Sequence, residues 1–481
     1  MADKLPPAQG PTLDPENWDA VKDQAHRMLD DMLDYIAHIR DRPVWTPLPG
    51  NIRGHFHAGL PRAPMALETV HREFLEFILP YSGGNVHPGF MGWVQGGGTV
   101  TGMLAEMLAG GLNPNVGGRN QAPVEVERQI VEWTRQLFGF PQTASGLFVT
   151  GTSLANLLAV LVARTARLGK ETRRTGIGSE GARLRAYASR GAHGCVAQAV
   201  DLAGLGSDAL RLIDVDGDFR MDMTALRRAI TEDRKAGLEP FLIVASAGTV
   251  DVGAIDDLSA IADLCAAEKL WFHIDGAYGA LGMLSPLIAP LLKGLERADS
   301  IAFDFHKWGH VPYDAGFLIV RDGEQHYETF ASPTAYLRRE TRGLAANSPW
   351  PCDFGPDLSR GFRALKTWFT IKVHGADAIG ASIARSCALA KLLEARVKAE
   401  PRLELLAPVA LNIVCFRYRG GDTAAIVADL QESGIAAPST TTVNGQLAIR
   451  AALFNHRTQP QDIDALIAAV LRFGDARRTA P

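Results

Sequence analysis

A carboxylate and an amine close two apolar segments of this 481-residue chain. The first is Phe272-His273-Ile274-Asp275-Gly276-Ala277-Tyr278-Gly279. The second is Asp299-Ser300-Ile301-Ala302-Phe303-Asp304-Phe305-His306-Lys307-Trp308. Each reads as a buried strand that runs out into polar residues. A lysine amine so placed condenses with an aldehyde to a Schiff base, and a carboxylate facing a pyridine nitrogen keeps that nitrogen protonated. Asp275 and Lys307 therefore predict pyridoxal 5'-phosphate held covalently on Lys307, and carbanion chemistry on an amino acid.

Other residues extend this reading. Ala277 stands two residues after Asp275, so an extended segment would put both side chains on one face. A small side chain there would let a flat ring lie against the protein. Thr150-Gly151-Thr152-Ser153-Leu154-Ala155-Asn156 joins a strand, Leu147–Val149, to a helix with Leu154, Leu157, Leu158 and Leu161 on one face. Such a turn offers amides and hydroxyls to a phosphate, although it also serves as an ordinary helix cap. His193 follows a strand at Leu184–Ala188. It is either a structural histidine or an imidazole that stacks on the ring opposite Ala277 and handles protons. A lone lysine is normally a solvated surface charge; Lys307 differs because His306 and Trp308 flank it at a strand end.

The positioning elements follow from the same patterning. Short apolar runs suited to buried strands fall at Leu147–Val149, Leu184–Ala188, Leu210–Val215, Phe241–Ala245, Leu270–Ile274, Ile301–Phe303 and Phe317–Val320. Helical patterns separate most of them, which predicts an α/β fold with a mainly parallel central sheet covered by helices. Ligands of such sheets sit at the carboxyl ends of the strands, where Asp275 and Lys307 fall. Residues 1–98 read as an N-terminal helical segment, with helices at Trp18–Arg40 and Met65–Leu79 and a glycine-rich stretch at its end. Residues 99–378 read as a large cofactor-binding domain. It has helices at Val100–Leu112 and Pro123–Phe138 and an aperiodic flap at about 322–359. A long helix over Arg360–Ala399, interrupted near Gly375 and Gly380, leads into a small αβ domain at 379–481. That domain has strands at Leu411–Tyr418 and Gln446–Ala452 and helices at Thr423–Ser433 and Pro460–Phe473.

Composition narrows the setting. The 49 basic and 53 acidic residues leave a net charge of −4, which gives no electrostatic case for nucleic acid or a membrane surface. Five dispersed cysteines suggest a reducing compartment and no metal site. The first residues lack the apolar core of a secretion signal, so the expected location is cytoplasmic.

Taken in order, these segments resemble the group II pyridoxal-phosphate-dependent amino acid decarboxylases, the family of the aromatic-L-amino-acid, histidine, tyrosine and glutamate enzymes. The resemblance covers about His87 to Arg457. It rests on His87-Pro88-Gly89-Phe90, Asn113-Pro114-Asn115, Thr150–Asn156, Ala192-His193, Gly248-Thr249, the two strand-end segments and the run Leu358-Ser359-Arg360-Gly361-Phe362-Arg363-Ala364-Leu365-Lys366. It implies a fold type I, aspartate-aminotransferase-like homodimer with interface active sites. Lys307 would carry the cofactor, Asp275 would meet the ring nitrogen, and His193 would stack on the ring. Thr152, Ser153 and His306 would lie at the phosphate end, with Thr249 and Ala277 completing the cofactor site. Decarboxylation to an amine and carbon dioxide is the implied reaction. Positions corresponding to the family's side-chain pocket are Trp93, Val94, Asn115, Gly117 and Ser359. They favour an aromatic, phenol-like amino acid, and Arg119 is a candidate cation if the substrate is acidic.

Two departures bear on mechanism. Relatives often have Asn two residues before the His of His-Lys, where this chain has Asp304, so Asp304 is not assigned to phosphate. Family decarboxylases usually carry a flap tyrosine credited with reprotonating the carbanion. The corresponding region here, Asn347-Ser348-Pro349-Trp350-Pro351-Cys352, has none, and Tyr336 is the nearest upstream. Relatives without that tyrosine can let oxygen intercept the carbanion and release an aldehyde, ammonia and peroxide. An aminotransferase or lyase on the same fold, and a non-enzymatic binding or scaffold protein on it, are the further alternatives. Lys307→Ala should abolish turnover and the absorbance of the lysine-bound cofactor; a variant that keeps both removes Lys307 from the chemistry.

Overall fold

The computed structural model describes residues 12–332 and 338–478. They form two compact units that divide between Gly84 and Asn85. This point precedes the expected boundary at 98 because Phe90–Met91 enters a sheet of the second unit. In the first unit, Asn17 caps the helix Trp18–Ala37 by accepting from the Ala20 amide at 3.0 Å. Its buried Gln24 hydrogen-bonds Nδ1 of His71 at 2.9 Å. The single helix expected at Met65–Leu79 is three pieces: an α-helix Leu67–Glu73, a π-turn Phe74–Ile78 and a 3-10 turn Leu79–Tyr81.

The second unit holds two sheets. Its strands are β1 (Phe90–Met91), β2 (Ser145–Val149), β3 (Leu184–Ser189), β4 (Leu210–Ile213), β5 (Glu239–Ser246) and β6 (Trp271–Asp275). They continue as β7 (Ser300–Asp304), β8 (Gly316–Val320), β9 (Leu403–Leu405), β10 (Ile413–Tyr418), β11 (Ala437–Val443) and β12 (Gln446–Ala452). The larger sheet has seven strands in the order β2-β8-β7-β6-β5-β3-β4. Pairings from β4 through β7 are parallel, and β8 runs antiparallel to both its neighbours. Every residue of β7 and β8 is buried, as expected of a sheet covered on both faces. In the register of β6 and β7, Asp275 lies opposite Ala302, so Asp275 and Asp304 emerge at the same end of the sheet.

The helix Thr152–Leu168 begins directly after β2. It buries Ala155, Leu158, Ala159 and Val162 against Val149, Ala302 and Leu318, and so lies over β2, β7 and β8. Its start sits very close to β8: a Cβ on Gly316 would fall 2.3 Å from the Gly151 Cα. The missing side chain of Gly316 lets the helix start approach the sheet there.

The smaller sheet runs β1-β11-β12-β10-β9. β11 was not foreseen, since Ala-Pro-Ser-Thr-Thr-Thr-Val reads as turn composition. The signal was present one step further on. Val443 pairs with Gln446 across Asn444-Gly445, both with positive φ, which is the preferred two-residue hairpin turn. The expected break at Gly380 does not occur. The chain breaks only at Gly375, φ +80°, and the helix Ala376–Ala399 runs through Gly380. Gly380 serves packing instead, because a Cβ there would lie 2.0 Å from the Leu284 carbonyl oxygen. Among the described residues no helix is long and apolar enough to cross a membrane.

The run Leu358–Lys366 is tied in by buried charge. Arg360 binds both oxygens of Glu127 at 2.6 and 3.1 Å and donates to the Val116 and Phe148 carbonyls at 3.0 and 2.8 Å. Arg363 pairs with Asp314 at 2.8 Å, and Lys366 with Glu106. Breaking a buried pair from one side leaves the other charge unneutralised. Arg360→Leu should therefore destabilise the fold by roughly 3–5 kcal/mol, read as a clear fall in the thermal midpoint. An unchanged midpoint would show that Glu127 needs no partner.

Candidate active site

A cavity of about 410 Å³ opens where β5, β6 and β7 end in Ser246, Asp275 and Asp304. Its wall brings together residues far apart in the chain: Thr152 and Ser153 from the helix start, His193 after β3, Thr249 after β5, Asp275 and Ala277, and His306 and Lys307. Trp93 and Val94 also line it. Asn115 and Ser359 do not. The Asn115 side-chain oxygen accepts from the Gly117 and Arg360 amides at 2.9 and 3.0 Å, which makes it a loop tie, and Ser359 is exposed. Gly117 also stands apart from the cavity, pressed against the Leu358 carbonyl. Arg119 lies over the Trp350 ring at 4.8 Å.

Asp275 is oriented by a buried chain of donors. Trp271 Nε1 donates to Ser300 Oγ at 2.8 Å, and Ser300 Oγ lies 2.8 Å from His273 Nδ1. His273 Nε2 is 2.8 Å from Asn156 Oδ1, and Asn156 Nδ2 donates to Asp275 Oδ2 at 3.0 Å. An Asn156 that donates to a carboxylate must present its oxygen to His273, so Nε2 of His273 carries the proton. Burial pushes His273 down to about 4, so the ring is neutral and the sequence of donors runs one way. The Ala277 amide donates to Asp275 Oδ1 at 3.1 Å. Burial raises the Asp275 carboxyl above its ordinary value, and Lys307 opposes that. β6 stops at Asp275 and the chain turns, so the segment is not extended through Ala277, yet both residues line the cavity.

At the other end of the cavity, His306 Nδ1 accepts from the Ala315 amide at 3.0 Å. Burial lowers His306 to about 4, so it is neutral with the proton on Nε2. Tyr313, which sequence reasoning missed, lines the same wall and lies on the His306 ring with centroids 4.2 Å apart. Lys307 Nζ pairs with Asp304 at 2.8 Å. His193 Nδ1 accepts from the Cys195 amide at 3.1 Å, and Thr249 Oγ1 accepts from the Ala254 amide at 3.0 Å. Both side chains are thereby held in place on the wall.

The donor set fits pyridoxal 5'-phosphate. Thr152 Oγ1 is buried with no hydrogen-bond partner, and Asp275 is held by the neutral donors Asn156 and Ala277. A phosphate oxygen would satisfy the first and a protonated ring nitrogen the second. Lys307 would supply the amine for covalent attachment.

The segment matched to the flap tyrosine is anchored. Trp350 is buried, with the Arg339 guanidinium 3.6 Å from its ring on one contact and Arg119 on another. Arg128 donates to the Asn347 and Pro349 carbonyls at 2.8 Å, and the Cys352 amide to the Gly117 carbonyl at 3.0 Å. Upstream, the stretch expected to be aperiodic contains a helix, Gly323–Phe330, capped by Asp322. Tyr336 lies outside the described residues.

Comparison with known proteins agrees with this geometry. A family model, the pyridoxal-dependent decarboxylase conserved domain, matches residues 49–419. An aromatic-L-amino-acid decarboxylase of Bacillus atrophaeus is 31% identical over 460 residues, which is 92% of this chain and 93% of that protein. A histidine decarboxylase of Rattus norvegicus is 29% identical over 478 residues, 94% of this chain and 70% of that protein. The crystal structure of Oryza sativa TDC with PLP and tryptamine superposes with a TM-score of 0.86 at 24% identity, covering 96% of this chain and all of that one. Asn156→Ala should weaken cofactor binding roughly ten-fold or more, since it leaves Asp275 buried with one donor fewer. Titration of the cofactor-free protein with pyridoxal 5'-phosphate measures this, and unaltered affinity would make the donor chain structural only.

Proposed function

Because the chain belongs to the pyridoxal-dependent decarboxylase family, and is a pyridoxal 5'-phosphate-dependent carboxy-lyase acting on an amino acid, we propose that it converts an aromatic L-amino acid to its amine and carbon dioxide. The observation that carries the aromatic reading is the character of the cavity wall. Trp93, Val94 and Tyr313 present apolar and aromatic surface. Arg450, a cation on the same wall, has its donors engaged by the Val250 and Asp251 carbonyls and by Ser439 Oγ. An acidic side chain would find little unengaged positive charge there, whereas an aromatic one would gain buried area.

When bound, pyridoxal 5'-phosphate supplies an electron-withdrawing ring that stabilises negative charge at the substrate α-carbon. The chain's own residues set the conditions. Lys307 would hold the cofactor covalently. Asp275, oriented by Asn156 and the Ala277 amide, would hold a proton at the ring nitrogen. His193 and Ala277 would flank the ring. Thr152, Ser153 and His306 would bind the phosphate end, with neutral His306 donating from Nε2. The walls would fix the orientation of the bond to the carboxylate, a positioning effect.

A second reading, oxygen-dependent release of an aldehyde, is favoured by one observation: Trp350, bound into the protein body, stands in the region where relatives carry a reprotonating tyrosine. That route consumes oxygen and water and yields the aldehyde, carbon dioxide, ammonia and hydrogen peroxide. Product analysis separates the two. The cofactor-loaded protein, incubated in air with L-tyrosine, L-DOPA, L-phenylalanine, L-tryptophan, L-histidine, L-glutamate and L-aspartate, should give amine from an aromatic substrate without stoichiometric peroxide. Aldehyde with equimolar peroxide would establish the second reading, and turnover of an acidic substrate alone would overturn the aromatic assignment.

A further inference from the structure

Asp304 is a buried carboxylate, 2% exposed, at the end of β7 and inside the cofactor cavity. It does not turn away from the site. One oxygen accepts from the Thr152 amide at 2.8 Å, at the first residue of the helix Thr152–Leu168. The other lies 2.8 Å from Lys307 Nζ and 3.6 Å from His306 Nε2. Each of these three groups is one that cofactor binding calls on: a free amide at a helix N-terminus for phosphate, the amine for covalent attachment, and a neutral histidine donor.

An anion at that helix start satisfies the same positive potential a phosphate would. Here the anion belongs to the chain itself. Thr152 shows the consequence: its amide is engaged by Asp304, while its hydroxyl is buried with no partner. A phosphate arriving beside Asp304 meets a like charge in a site with little water to screen it.

We propose that Asp304 is an internal stand-in for the cofactor's phosphate. It occupies the helix N-terminus and pairs with Lys307. It yields both contacts when pyridoxal 5'-phosphate enters, so the enzyme holds its cofactor loosely and exchanges it readily. This rests on the cofactor assignment above.

The test compares the cofactor-free full chain with Asp304→Asn, which keeps an oxygen for the Thr152 amide and removes the charge. Two probes are used: pyridoxal 5'-phosphate, followed by absorbance, and inorganic phosphate alone, followed by thermal midpoint. The variant should bind pyridoxal 5'-phosphate at least ten-fold more tightly and release it more slowly. Millimolar phosphate should raise its midpoint but leave that of the unaltered protein in place. Equal or weaker cofactor binding by the variant, or equal phosphate stabilisation of both proteins, would overturn the proposal. Asp304→Ser, which also removes the charge, gives the same readings if the asparagine variant does not fold. If the unaltered protein itself forms no lysine-bound cofactor absorbance, the cofactor assignment fails instead, and the two failures are distinct.

Discussion

Two carboxylates end neighbouring parallel strands inside this protein, and a buried carboxylate is tolerated only where donors or cations meet it. Asp275 and Asp304 stand at one end of the seven-stranded sheet and face one cavity. Much of the surrounding polar structure exists to satisfy them. Asp275 draws its support from the covered side of the sheet, through Asn156, His273, Ser300 and Trp271. Asp304 draws its support from the helix start and from Lys307. One carboxylate is thus set up by neutral donors to await a cation, and the other is already paired.

That division of labour depends on the helix Thr152–Leu168. It supplies the Thr152 amide to one carboxylate and Asn156, one turn later, to the other. Its placement depends in turn on the close approach of the Gly151 backbone to Gly316, where a side chain on Gly316 would clash, and on an apolar face that fits β2, β7 and β8. Displacement of this helix would alter both carboxylates together. The buried Arg360–Glu127 pair acts at the next level. It joins the helix Ala122–Leu137, β2 and the loop around Val116 to the segment that leads into Arg363–His374.

The site's reactive groups are also kept in defined protonation states by burial. His273 and His306, both near 4, stay neutral at physiological pH, so each acts as a directional donor. The neutral forms matter because a charged imidazole beside Asp275 or Asp304 would compete for the carboxylate. Tyr313 and Trp350 mark two ways in which aromatic residues are used here. The first lies on the cavity wall against His306, and the second is locked between guanidinium groups away from it.

Chain sequence alone was enough for the strand pattern of the large sheet, for Asp275 at one strand end and Lys307 three residues past another, and for the turn into a helix at Thr150–Asn156. These are local signals: an apolar run, a residue type at its end, a periodicity of helix or strand. What the sequence could not supply was any relation between groups that only folding brings together. Nothing in the spacing of Asn156, His273 and Ser300 announces a donor chain, because its links cross between a helix and two strands. The partner of Asp304 was likewise invisible, since Thr152 is 152 positions earlier in the chain. β11 was lost because its Ser and Thr residues mimic a turn, and only pairing with β12 makes them a strand. That Asn115 and Ser359 stand outside the cavity wall was likewise a matter of tertiary placement. Residue identity determined which chemistry was available; close packing of distant backbone, possible only at a few small residues, decided which of those groups meet.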